Sequence, residues 1–226
     1  MTKLIKTMFL GAALAAFMLP AAAQTTTDNP STAGGAPGPT VDQAKPSTSG
    51  GNPDASNPVY KRKEKQQRRI ARGVQNGSLT PEEASKVENR EAALSSETQK
   101  MRAADGGKLT AADKAELEKK QNHISDSIRN QKHDAQTSGT GQPTSEVGQR
   151  KNDQQQRIAE GMKNGNLTPE ESSKLEKRES NINQETQKMR AADGGNLTAA
   201  DKAKLQHQQN KVSKAIHRQK HDAQHR

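Results

Sequence analysis

Three histidines, His217, His221 and His225, follow one another at four-residue intervals near the end of the chain. On a helix that spacing puts their side chains on one face, where aligned imidazole nitrogens can chelate a divalent transition metal. The first half of the chain carries Arg129, His133 and Thr137 at the matching places, and no cysteine or carboxylate completes the set, so a solvated polar face is the favoured alternative. A second group, Glu160, Asn164 and Glu171, offers the carboxylate and amide oxygens that a hard cation such as Ca²⁺ takes. A third is the run KRKEKQQRR, in which Lys61, Arg62, Lys63, Lys65, Arg68 and Arg69 stand against the single acid Glu64. It suits phosphate-bearing surfaces such as lipopolysaccharide or anionic lipid, and equally suits a charged helical face that keeps a thin domain dispersed.

Catalysis has no comparable set. There is no cysteine, no Gly-x-Ser-x-Gly elbow and no phosphate-cradling glycine loop ahead of a helix. Glu91 and Glu179 fall on the apolar side of a helical pattern, where a carboxylate more often pairs with lysine or arginine than catalyses. The expectation is a non-enzymatic protein that needs no cofactor.

The elements that would position these groups announce themselves by repetition. GSLTPEE, GKLTAAD, GNLTPEE and GNLTAAD occur in order along the chain. In each, threonine precedes an acid by three residues: Thr80 with Glu83, Thr110 with Asp113, Thr168 with Glu171 and Thr198 with Asp201. That is the spacing of a helix capping box, and Pro81 and Pro169 stand at the first helical position, where a missing N–H costs nothing.

The same letters resemble EF-hand loops when Gly77 is set at the sixth position, Leu79 at the eighth and Glu83 at the twelfth. The resemblance implies calcium ligands at the first, third and fifth positions, which are Arg72, Val74 and Asn76 in the first loop and Glu160, Met162 and Asn164 in the third. Arginine also opens the second and fourth loops, at Arg102 and Arg190. A segment without Gly or Pro runs from Glu83 to Arg102, so the first two loops belong at opposite ends of one long helix. Paired EF-hands need a turn there, and capping therefore explains the pattern better than calcium does.

Residues 66–136 match 154–224 at a constant offset of 88, and ETQKMRAADGG and QKHDAQ recur verbatim. Large apolar residues keep their positions while changing identity: Ile70, Val74, Leu79, Val87, Leu94, Met101, Leu109, Leu117, Ile124 and Ile128 correspond to Ile158, Met162, Leu167, Leu175, Ile182, Met189, Leu197, Leu205, Val212 and Ile216. Their helical spacing marks them as the core. Each copy is expected to hold three helices, the first ending near Gln75, the next spanning Pro81 to about Ala104 and the last about Ala111 to Ala135. Asn76-Gly77 and Gly106-Gly107 stop the first two. The first helix begins without an apolar stripe, so partial disorder there is the alternative.

The fold class that follows is all-α: two duplicated three-helix, up-down-up modules, or long helical hairpins, behind a disordered N-terminal region. Residues 1–23 read as a signal peptide, with Lys3 and Lys6, a short apolar run and Ala21-Ala22-Ala23 at its end. Residues 24–57 form a Thr/Ser/Pro/Gly tether, 58–136 the first module, 137–148 a linker and 149–226 the second module. The product is expected to be exported, periplasmic or secreted, with neither disulfide, lipid anchor nor membrane span. Only 28% of residues are hydrophobic, against roughly 45–50% in ordinary domains, so no large enclosed core can form. The formal charge of +10 suits acidic partners, but outside the signal-like segment Tyr60 is the sole aromatic, which argues against nucleic-acid recognition.

On its GxLTPxE segments the chain resembles exported bacterial helical repeat proteins, over both copies. Leu79-Thr80-Pro81-Glu82-Glu83 and its counterparts are also similar to the LT-x-x-Q signature of the periplasmic Spy/CpxP group, with Glu or Asp where that group has glutamine. That similarity implies a small, cationic, helical, ATP-independent chaperone. The partners expected are other envelope proteins or anionic cell-surface polymers, with self-association through the helical faces. The alternative function is divalent-cation binding through the loop oxygens or the histidines.

Overall fold

The structure, a computed structural model, describes residues 57–137 and 143–223. The signal-like segment, the tether up to residue 56, linker residues 138–142 and His225 lie outside the described residues. Six helices make up most of the described residues: α1 Pro58–Gln75, α2 Pro81–Ala104, α3 Ala111–Lys132, α4 Glu146–Asn164, α5 Pro169–Ala192 and α6 Ala199–Lys220. Among the described residues there is no strand, and no helix is long and apolar enough to cross a membrane.

Each module runs up, down and up. Between α1 and α3, Gln66 donates to the Gln121 carbonyl while Arg69, three residues on, donates to that of Ser125, so these helices are parallel. Between α1 and α2 the order reverses, with Gln67 bonded to Glu88 and Tyr60 to Arg102. The expected apolar positions are buried except Met101, Met189 and Leu197, which pack half-covered on the edge of the core.

The turn between α1 and α2 shows how the sequence sets this up. Gly77 takes φ 71°, a left-handed conformation open to glycine, and reverses the chain. Leu79 then donates its N–H to the Gly73 carbonyl at 2.9 Å and lies where a side chain on Gly73 would be. A Cβ on Gly73 would stand 2.6 Å from Leu79 Cγ and Cδ1, and Gly161 and Leu167 repeat the arrangement. Leu79 and Ala84 occupy the positions flanking the cap at which a hydrophobic staple closes, and both are fully buried.

Two boundaries differ from the sequence expectation, and a third settles an alternative left open there. Helix α3 stops at Lys132 instead of near Ala135, because Asp134 turns its carboxylate onto the Gln136 N–H at 2.9 Å and competes with the helical bond. Helix α4 starts at Glu146, inside the segment expected as linker, because the Ser145 side chain accepts from the Gly148 N–H and caps it. Helix α1 is helical through its whole basic run, capped by Asn57 and starting on Pro58. Its buried face contains Gln66 and Gln67 among Ile70, Ala71 and Val74, so polar residues carry the stripe that looked missing.

The two modules are joined. All described residues belong to one compact unit, in which α2 lies along α5 and α1 against α4. Ser85 of α2 meets Ser173 of α5, its own counterpart 88 residues on, so a pseudo-twofold axis passes between them. Glu82 lies beside Lys177 and Gln184, which makes α2 and α5 antiparallel.

Candidate functional site

The four Leu-Thr turns close as capping boxes. Glu83 Oε2 accepts from the Thr80 N–H at 2.8 Å and from its hydroxyl at 2.7 Å, while the Thr80 hydroxyl oxygen accepts from the Glu83 N–H at 3.3 Å. Thr168 with Glu171 repeats these bonds, as do Thr110 with Asp113 and Thr198 with Asp201. Hydrogen bonds from the threonines hold the Asp113 and Asp201 carboxyls below the usual range. Glu83 goes the other way: burial raises it, although Thr80 partly compensates.

The cation ligands expected from the sequence do not converge. Glu171 is committed to its cap, and Glu160 pairs with Lys220 at 3.8 Å. Asn164 ends α4. The rings of His217 and His221 lie 4.6 Å apart at the end of α6, and His225 is outside the described residues. Among the described residues no group of three or more His, Cys, Asp or Glu side chains is placed to hold a metal ion.

The basic run is turned partly toward its own module. Arg62 reaches Asn122 and Glu118 on α3, Arg68 pairs with Glu64, and Arg69 donates to the Ser125 carbonyl. Lys63 is half-buried and engaged, while Lys61, Lys65 and Arg68 are exposed. The run is thus divided, with Arg62 and Arg69 tying α1 to α3 and Lys61, Lys65 and Arg68 facing solvent.

What sequence reasoning missed is a buried polar layer running through both modules and across their junction. Gln66 donates to the Gln121 carbonyl and to Ser125, and Gln121 donates to the Val59 carbonyl; Gln154, Gln209, Ser213 and Val147 repeat the pattern. Gln67 donates to Glu88 at 2.9 Å and Gln155 to Glu176 at 3.0 Å. Glu88, Glu91, Glu176 and Glu179 are each fully buried. The seam's centre is polar too: Ser85 Oγ lies 3.1 Å from the Ser173 carbonyl, Ser173 Oγ 3.0 Å from the Ser85 carbonyl, and Ser173 donates to Asn89 at 2.7 Å. The available signal was the identity of Gln67/Gln155 and Glu88/Glu176 across the duplication, at faces where an exposed pair would be free to drift.

Burial fixes the electrostatics here. Desolvation pushes the Glu176 carboxyl well above the usual range; Gln155 and Lys151 oppose the rise, and Glu179 and Glu88 add to it. Desolvation pushes Glu179 up to about 8, against the pull of Lys151. The Lys151 amine is itself lowered by desolvation, with Glu179 and Glu176 pulling back. Glu91 and Glu179, read as candidates for lysine pairing, thus lie inside the fold, and Glu179 faces the lysine of the neighbouring helix. Burial thus favours the protonated form of both glutamates.

No family model, curated protein or solved structure matches the chain.

Proposed function

We propose that the chain is a non-enzymatic, exported helical interaction protein of the cell envelope, which holds unfolded polypeptides in the manner of a chaperone. The observation that supports this reading is the polar seam. A junction built only for stability would bury apolar side chains, since removing charge from water costs several kcal/mol per ion and apolar replacements are often neutral or better. Here the modules meet through Ser85, Ser173 and Asn89, with Glu88 and Glu176 buried close by. Parting them hydrates the glutamates and recovers much of that cost. The opened faces of α2 and α5 then offer helical stripes in a cationic frame to a client.

The test uses aggregation of a heat-denatured enzyme, followed by light scattering. The protein is expected to suppress scattering at near-stoichiometric ratios, with the effect fading in high salt. Ser85 Oγ and Ser173 Oγ are 3.2 Å apart, so the S85C/S173C variant can close the only disulfide in a chain that has no cysteine. Oxidised, this variant should lose the suppression; reduced, it should recover it. No suppression at any ratio removes the function, and an oxidised variant as active as the parent removes the opening of the seam.

A further inference from the structure

The groove between α5 and α6 differs from its counterpart between α2 and α3 in a way that changes what it can bind. It is an open groove of about 780 Å³, with Ile182 and Val212 among its lining residues and Arg178, Lys211, Lys214 and Arg218 around them. All four cations are exposed. The acid in the groove, Glu185, is already paired with Lys204 at 2.5 Å and accepts from Gln208.

In the first module the matching groove is less cationic, although Arg129 stands there where the second has His217. Arg90 donates to Ser127 at 2.6 Å, and Asp126 pairs with Arg129 at 3.6 Å. In the second copy Ser127 has become Ala215, Asp126 has become Lys214, His123 has become Lys211 and Asn130 has become Arg218. The partner of the conserved-in-place arginine is gone, and three cations have gathered along α6. Lys211, Lys214 and Arg218 follow one another at three- and four-residue steps, a stripe about 10 Å long on one helical face at roughly 1.5 Å per residue. Helix α5 contributes Arg178 to the same groove.

We propose that this groove is a binding site for the phosphate headgroup of an anionic lipid. Guanidinium groups suit phosphate oxygens because they can donate in pairs, and lysines add mobile point charge. The volume falls in the range of small-ligand sites, with the buried Ile182 and Val212 forming its floor and the aliphatic stems of the lysines and arginines its apolar walls. The anion-binding role expected of Lys61 to Arg69 is thereby moved to another place on the molecule. The site stands independently of the seam and of client holding.

The experiment is co-sedimentation of the full chain with phosphatidylcholine vesicles, with and without phosphatidic acid, beside calorimetry with inorganic phosphate alone. The informative variant is K211H/K214D/A215S/R218N, which restores the residues that the first module carries at the same helical positions and so preserves the fold, checked by circular dichroism. Binding is expected only to the acidic vesicles, and the variant should weaken it on the order of 100-fold, near the effect of several cations each contributing about fivefold at an anionic surface. The reciprocal H123K/D126K/S127A/N130R change should strengthen it. Undiminished binding by the first variant, no gain from the second, or inorganic phosphate binding as tightly as the lipid would each overturn the assignment.

Discussion

Replacing Leu79 with alanine should destabilise the protein by about 2–5 kcal/mol, enough to unfold much of a chain whose core is this thin. Leu79 is fully buried, seated on the bare backbone of Gly73 and bonded to its carbonyl, so the truncation leaves a cavity that a helix–turn–helix cannot readily collapse. Leu167→Ala should behave alike for the same reason. Thr80→Ala, one residue on, removes a cap and should cost about 1 kcal/mol. Gly73→Ala should cost about 1–3 kcal/mol even though alanine is the better helix former, because its Cβ would meet Leu79. Urea unfolding of the four variants measures this ranking. Equal small losses for Leu79→Ala and Thr80→Ala would mean that the turn merely starts a helix and does not lock two helices together.

The second large effect is a dependence of stability on pH that runs opposite to the common one. Glu176 and Glu179 are raised by burial in the folded protein, Glu179 to about 8, whereas an unfolded chain would return them to about 4.5. Between those values the folded state binds protons that the unfolded state has released, so stability falls as pH rises. The contribution is complete below about pH 4.5 and is lost through about pH 8. Lys151, lowered by desolvation, acts in the reverse sense towards the alkaline side. The lowered carboxyls of Asp113 and Asp201 lose their contribution only when acid protonates them. Melting temperature should therefore peak in mildly acidic buffer and decline towards pH 8.5. Glu176→Gln keeps the shape, removes the titration and should raise stability at pH 8.5 on the order of 1–2 kcal/mol while changing it little at pH 5. A melting temperature that stays flat from pH 5 to 8.5, or a variant weaker than the parent at pH 8.5, would contradict a buried carboxylate at this place.

These two effects mark the boundary of what the amino-acid sequence discloses. Thr80, Pro81 and Glu83 act through bonds to residues within one turn, so their spacing carries the whole message, and the helix start is legible. Leu94 and Ile124 are legible because aliphatic side chains at helical spacing have one destination. Gln66, Gln67, Glu88 and Glu176 are different: a glutamine or glutamate on a helix is ordinarily solvated, and only the opposing helix, found far along the chain, turns it inward. Ser85 and Ser173 were unreadable for the same reason, since their contact exists only once the two modules are docked. The short end of α3 escaped because Asp134 bonds its own backbone nearby, a competition that periodicity does not register. Charge is least legible of all: Arg62, Arg68 and Arg69 of the densest basic run are engaged by Asn122, Glu118, Glu64 and Ser125, while the exposed cations of the α5/α6 groove come together only from two separate helices.

Carboxyls lie buried inside the helical core, and the carboxyl carbon of Glu179, packed on α5 toward Lys151 of α4, reports this directly. Its ¹³C chemical shift, assigned by comparison with Glu179→Gln and followed from pH 4 to 9 by NMR, should titrate with a midpoint of about 8. A midpoint near 4.5, the value of a carboxyl in water, would mean that Glu179 is solvated and the polar layer beneath it is not closed.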